Sequence, residues 1–210
     1  MNKARLAILA SGRGTNAVRL IEASKEGFFP AEVAAVISDV KDAPVLAKAK
    51  ELGVEALHLE PGPKKTYLVP EVEKEWVRVL KEYRVDYILL AGFMRVLKRA
   101  FFESFANRII NIHPSLLPSF RGLDAQSQAL DFGVKVSGAT VHFVDDSLDS
   151  GPIIMQEPVE VREDDTVHTL SKRILEAEHR IYPEAVKLLV EGRLEIKGRK
   201  VKILKEEHGR

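Results

Sequence analysis

Leu6-Ala7-Ile8-Leu9-Ala10-Ser11-Gly12-Arg13-Gly14-Thr15-Asn16-Ala17 is the stretch on which the fold turns. Its apolar start reads as a buried strand, and Val18, Leu20 and Ile21, closed by Gly27, read as an amphipathic helix of about three turns. Strand, glycine loop, helix is an order that binds phosphate. Glycines let the backbone approach an anion, and the unbonded N–H groups at a helix start, aided by the macrodipole, receive it. Arg13 adds a positive charge. Three readings stay open. Residues 12–17 satisfy the G-x-G-x-x-A dinucleotide fingerprint, with Asp39 at the end of the next strand to take a ribose hydroxyl. A sugar-phosphate site needs no such acid, and a plain tight turn needs only Thr15 or Asn16 as helix cap.

Moving outward, 33–38 is a second apolar strand. Asp42 then reads as an N-cap before Pro44, with Val45, Leu46, Ala49 and Leu52 as buried stripe and Gly53 as stop. A third strand covers 54–59. Lys64 and Lys65 follow in a Pro- and Gly-containing loop, either solvated or facing an anion. Spacing predicts a helix over 69–83 with Trp76 in the core, then a strand over 85–91 that ends at Gly92-Phe93-Met94-Arg95-Val96-Leu97. This alternation predicts an α/β, Rossmann-like fold: a mostly parallel central sheet with helices on both faces and ligands beyond the strands' carboxyl ends. Met94, Val96 and Leu97 there either wall a flat ring system or cover the core.

Beyond it, Ala125 to Phe132 reads as a short helix closed by Gly133, and 136–144 as an alternating strand. Residues 153–156 and 158–161 read as a strand or hairpin that makes the C-terminal portion mixed. Asp164-Asp165-Thr166 caps a helix that Glu178-His179-Arg180-Ile181-Tyr182-Pro183 interrupts or kinks, and 193–204 is a terminal hairpin.

The chemistry concentrates in Arg108-Ile109-Ile110-Asn111-Ile112-His113-Pro114-Ser115-Leu116-Leu117-Pro118. If 109–113 is extended, its period of two sends Asn111 and His113 to one face, one pleat apart. An amide donor beside an imidazole suits acyl chemistry, one group for an oxyanion and one for protons near neutral pH; the plainer alternative is a polar pair capping a strand. The acidic loop Asp145-Asp146-Ser147-Leu148-Asp149 could set one aspartate beside His113, orienting its ring. It lacks calcium-loop spacing, and no metal is expected.

Composition narrows the partners. With 32 basic and 31 acidic side chains the net charge is +1, so no global field draws nucleic acid or an anionic membrane. Absent cysteine fits a reducing compartment without proving it. The apolar run 6–10 is shorter than the roughly 7–15 residues of an export signal, and nothing approaches the roughly 20 of a membrane span. A cytoplasmic protein of one domain is expected.

Five segments in order resemble the folate-dependent formyltransferase family: Ser11-Gly12-Arg13-Gly14-Thr15-Asn16, Leu90-Ala91-Gly92-Phe93-Met94-Arg95, Asn111-Ile112-His113-Pro114-Ser115-Leu116-Leu117-Pro118, the stretch 138–149, and Glu178-His179-Arg180-Ile181-Tyr182-Pro183. The resemblance is to the branch whose acceptor is the amine of phosphoribosylglycinamide. It implies one formyltransferase domain over 1–210, with a phosphate-binding half over about 1–100 and a catalytic, folate-binding half over about 101–210. It implies that Gly12, Arg13, Gly14, Thr15 and Asn16 hold the substrate's phosphate, with Glu178 on the same substrate. It implies that 10-formyltetrahydrofolate lies against Met94, Arg95, Val96, Leu97, Asn111, Asp145 and Asp149, and that Asn111, His113 and Asp149 are catalytic. Arg121 stands where the family often has proline, and Asp124 where it often has histidine. Relatives that deformylate the folate carry an extra N-terminal domain, and those acting on methionyl-tRNA an extra C-terminal one. The expected partners are small molecules, with the protein a monomer or homodimer.

Overall fold

The computed structural model describes residues 3–205, which form two compact units dividing between Asn111 and Ile112. In the first unit strands and helices alternate strictly: β1 (Ala4–Leu9), α1 (Thr15–Lys25), β2 (Ala31–Ser38), α2 (Pro44–Glu51), β3 (Ala56–His58), α3 (Pro70–Glu82), β4 (Tyr87–Leu90), α4 (Arg99–Ser104) and β5 (Ile109–His113). The last two residues of β5 open the second unit. Strand order is β3-β2-β1-β4-β5, and these pairings are parallel. The chain steps from β1 out to β3, then returns past β1 to β4 and on to β5. Because such crossovers are right-handed, α1 and α2 cover one face and α3 and α4 the other. Accordingly α1 packs on α2, and α3 on α4. Strands buried from both sides must be apolar throughout, and Leu6, Ala7, Ile8, Leu9, Ile88 and Leu89 are wholly buried. Direction reverses between β1 and β4, so residues 11–16 and 92–97 leave the sheet at the switch point, where α/β sheets open a ligand crevice.

Two expected caps are corrected. Neither Thr15 nor Asn16 caps α1; its N-cap is Gly14 in the left-handed region, φ 72°. A Cβ there would lie 2.3 Å from Val45 Cγ2, so α2 packs against bare backbone. The N-cap of α2 is Ala43 rather than Asp42, with Pro44 supplying the first helical φ. The six-residue α4 has no counterpart in the sequence reading, being too short for periodicity to register. Its start is instead held from α3, where buried Glu73 accepts from Lys98 N–H at 2.6 Å.

The second unit carries α5 (Ala125–Phe132), β6 (Val136–Phe143), β7 (Ile153–Glu160), α6 (Val167–Val190), β8 (Leu194–Lys197) and β9 (Lys200–Ile203), in strand order β6-β7-β9-β8. β6 with β7 and β8 with β9 are antiparallel, while β7 meets β9 in parallel, which is the mixed portion expected. Contrary to simple alternation, β6 is buried at every position from Ser137 to Phe143; Thr140 and His142 are hydrogen-bonded internally, whereas the Ser137 hydroxyl is buried without a partner among the described residues. Pro158 lies inside β7 opposite Gly138, at the end away from the β9 contact at Ile153, so its missing N–H breaks no ladder there. The expected interruption near Pro183 does not occur: α6 runs unbroken through it. Losing a helical bond at an internal proline costs about 3 kcal/mol. Burial of Ile181, Tyr182, Ala185 and Val186 at roughly 1 to 3 kcal/mol for each large apolar side chain outweighs it. Its start is capped within the expected segment 164–166, by Thr166 in a capping box with Thr169, whose hydroxyl also donates to Asp165 Oδ1.

Candidate active site

In the first unit, residues 12–14 are suspended by their carbonyls. Gly12 O accepts from Val45 N–H (3.2 Å), Arg13 O from Lys48 Nζ (2.8 Å) and Gly14 O from Val18 N–H (2.9 Å). With acceptors tied to α2 and α1, the loop presents the first turn of α1, whose leading N–H groups have no partner within the helix. Gly12, Arg13, Gly14, Thr15 and Asn16, the residues expected to hold a phosphate, lie together in this loop and the first turn of α1. Arg13 is exposed, free to close on a bound anion.

Residues 92–97 are fixed beside this loop. Ser11 N–H donates to Gly92 O (3.0 Å), Met94 N–H donates to Ser11 Oγ (2.9 Å), and Ser11 Oγ–H donates to Asp39 Oδ1 (2.6 Å). The other carboxylate oxygen of Asp39 takes Arg95 Nε at 2.6 Å, and Arg95 Nη1 donates to Lys64 O. Asp39 therefore has each oxygen engaged by a protein donor, which ties the acid singled out by the dinucleotide fingerprint to Ser11 and Arg95. Of the four residues expected on the pterin, Met94 (57% exposed) and Val96 (38%) present apolar surface. Leu97 is core and Arg95 is spent on Asp39. The side chains of Lys64 and Lys65 are exposed.

In the second unit, His113 is buried at the end of β5. Its Nε2 lies 2.8 Å from Phe120 O, which as a carbonyl only accepts, so Nε2 carries the proton. Nδ1 faces Asp149 Oδ2 at 3.5 Å. Asp149 is held by Gly122 N–H, 2.8 Å from the same oxygen, and sits in the left-handed region at φ 45°. Sequence reasoning placed one of the loop's aspartates there, and Asp149 is the one; Asp145 instead accepts from Ser147 within its own turn (3.0 Å to N–H). The segment after His113 is clamped by buried Thr140, which accepts from Leu117 N–H (3.0 Å) and donates to Ser115 O (2.7 Å).

Two participants had been missed. His142, buried on β6, has Nε2 3.9 Å from Asp149 Oδ1, while its Nδ1–H donates to Phe143 O at 2.8 Å. Burial pushes its pKa down, partly opposed by the Phe143 carbonyl and the Asp149 charge. Asp149 thus stands between two imidazoles. The signal was a histidine within a strand expected to be largely buried, seven positions before Asp149. Gly151 is the second: a Cβ there would lie 1.8 Å from Phe143 O, so the acidic loop closes only over glycine. Glu178, expected on substrate, is buried on α6; its charge and the burial of Tyr182 push that phenol's pKa well up, burial more strongly. Among the described residues no group of three or more His, Cys, Asp or Glu is placed to hold a metal ion, and no helix is long and apolar enough to cross a membrane.

Known proteins resemble the chain over most of its length. The formyl transferase family matches residues 4–186. The chain is 38% identical to phosphoribosylglycinamide formyltransferase of Bacillus subtilis, over 89% of this chain and 94% of that one. It is 42% identical to the trifunctional purine biosynthetic protein adenosine-3 of Gallus gallus over 93% of its length, yet spans only 19% of that larger protein. The crystal structure of glycinamide ribonucleotide transformylase 1 from Symbiobacterium toebii superposes with a TM-score of 0.92 at 50% identity, covering 97% of this chain and 95% of that one. Family match, near full-length relatives and a shared fold agree: the chain belongs to the formyl transferase family, among the phosphoribosylglycinamide formyltransferases.

Proposed function

We propose that the protein transfers a formyl group from 10-formyltetrahydrofolate to the amine of N1-(5-phosphoribosyl)glycinamide, a step of purine biosynthesis. The observation that carries this reading is Asp149 held beside Nδ1 of His113, two residues after Asn111 on the same strand. Residues 12–16 take the acceptor's phosphate, with Glu178 on the same substrate. The exposed apolar surface of Met94 and Val96 fits one face of a pterin, with Asp145 and Asp149 contributing polar contacts. When bound, the folate supplies an activated formyl carbon for attack by the neutral amine.

The chain's own residues then handle charge and protons. Asn111 donates its amide N–H to the developing oxyanion, and His113 exchanges the Phe120 carbonyl for the same oxygen. Asp149 orients the His113 ring and assists proton transfer to the leaving nitrogen. No covalent enzyme intermediate is required. The test is formyl transfer followed by absorbance with both substrates, and with a control lacking the ribonucleotide. Transfer that needs both substrates is expected; deformylation without acceptor, or inactivity in a folded sample, overturns the reading.

A further inference from the structure

Asp39 is a buried carboxylate for which the proposed reaction has no use. It lies at the end of β2, its side chain 5% exposed, and pairs with Arg95, itself 12% exposed. Burying an ion pair is not in general stabilising, since desolvation offsets attraction, so its location is more informative than its existence. Asp39 Oδ1 takes the Ser11 hydroxyl, at the root of the phosphate loop. Asp39 Oδ2 takes Arg95, in the segment after β4. The two segments are further laced by Ser11 N–H to Gly92 O and Met94 N–H to Ser11 Oγ. The Ser11 hydroxyl has one proton to give. Because Asp39 accepts it, the oxygen lone pairs are turned toward Met94 N–H. Arg95 in turn reaches Lys64 O, and Val96 N–H donates to Thr66 O (2.8 Å), so the 64–66 loop is fastened to the same pair.

We infer that Asp39 is a positioning residue that fixes residues 11–16 and 92–97 to each other, so that the phosphate-facing and ring-facing segments are set by one carboxylate. The identities of the two ligands rest on the proposed function; the mechanical link does not. A residue of either pocket affects one ligand, whereas Asp39 governs both. Its neutral isostere keeps an acceptor for Ser11 but turns an NH₂ or an uncharged oxygen toward the guanidinium.

The experiment is Asp39→Asn in the full chain, read in two ways. Without any ligand, amide hydrogen exchange is expected to quicken about tenfold or more at both 11–16 and 92–97, while α3 and α6 stay within about twofold. In the formyl transfer assay, KM for ribonucleotide and for folate is expected to rise together, about tenfold, with kcat within about threefold, the pattern of lost uniform binding. Ser11→Ala, which cuts the bridge and leaves the ion pair, is expected to loosen the same two segments and decides the matter if Asp39→Asn fails to fold. Exchange that rises in one segment only, in neither, or throughout the protein overturns the inference, as does a KM change confined to one substrate. A wild-type protein that transfers no formyl group overturns the proposed function instead, and the exchange data then judge Asp39 alone.

Discussion

Gly151→Ala is the substitution whose consequence can be followed furthest from the coordinates. The added Cβ would lie 1.8 Å from Phe143 O and 2.8 Å from its carbonyl carbon. Ordinary contact begins near 3.4 Å, and the obstacle is backbone within β6, with no side chain to swing aside. The loop itself must give, by about 1.6 Å, the difference between those two distances. Two residues upstream stands Asp149, in the left-handed region and tethered by one N–H from Gly122. Overpacking of this kind costs about 1 to 3 kcal/mol, and at about 2 to 4 °C per kcal/mol for a chain of this size the melting temperature falls by roughly 2 to 12 °C. A misplacement of about 1 Å at a catalytic group costs on the order of a hundredfold in rate. The expected result is therefore a folded protein with kcat down about a hundredfold. Gly192→Ala is the control: a positive φ of 67° with nothing within 4 Å gives strain and no displacement of Asp149. If Gly151→Ala keeps kcat within about threefold of wild type, Asp149 does not act through its position and the reasoning fails.

Truncating His113 to alanine removes a donor to the oxyanion and should lower kcat about a hundred- to a thousandfold, as should Asn111→Ala, without loss of fold; near-normal turnover in either folded variant ends the assignment of that residue. His142, its pKa lowered chiefly by burial and faced by Asp149, His113 and Asp145, takes a proton less readily when folded than when unfolded, where it titrates near the ordinary 6.5. Stability should thus fall as pH drops below that value, by at most about 1.4 kcal/mol per pH unit from this group, and His142→Gln should flatten the slope measured by thermal melts. Trp76, 1% exposed with its Nε1–H donating to Glu60 O at 3.1 Å, should cost about 3 to 5 kcal/mol when replaced by alanine, checked by denaturant unfolding. Titration with NAD should give no saturable signal, since the Asp39 carboxylate is 5% exposed and already paired with Ser11 and Arg95; saturable binding would restore the dinucleotide reading.

The fold was legible where one period ran long enough to be counted. The alternating units to β4 followed from apolar runs separated by 3.6-period helices, and their order implied the parallel half without any long-range information. What failed was local chemistry settled by tertiary contact. Asp42 is a better N-cap than alanine by intrinsic preference, yet Ala43 takes the position because Pro44 begins the helix one residue later than the cap rule assumes. Pro183 reads as a break in any single sequence, since the apolar surroundings that hold α6 together come from elsewhere in the chain. Nothing in the sequence marked Glu73 on α3, whose carboxylate accepts two N–H groups at the start of α4, a helix itself too short to see.

The candidate site divides along the same line. Asn111 and His113 could be placed on one face from the strand period alone, and the glycine loop from its composition. Neither argument could distinguish Asp145 from Asp149, because both occur in one short acidic turn; the choice depends on Gly122, which lies 27 positions away and supplies the N–H that holds Asp149. Nor could the sequence separate two uses of Asp39, since an acid at the end of a second strand is what a dinucleotide site and an internal ion pair both need. Only Arg95, 56 positions later, decides between them. The chemistry-bearing types were visible in the chain, but their partners were long-range, and it is the partner that turns an aspartate into a ribose ligand, a histidine orienter or a brace between loops.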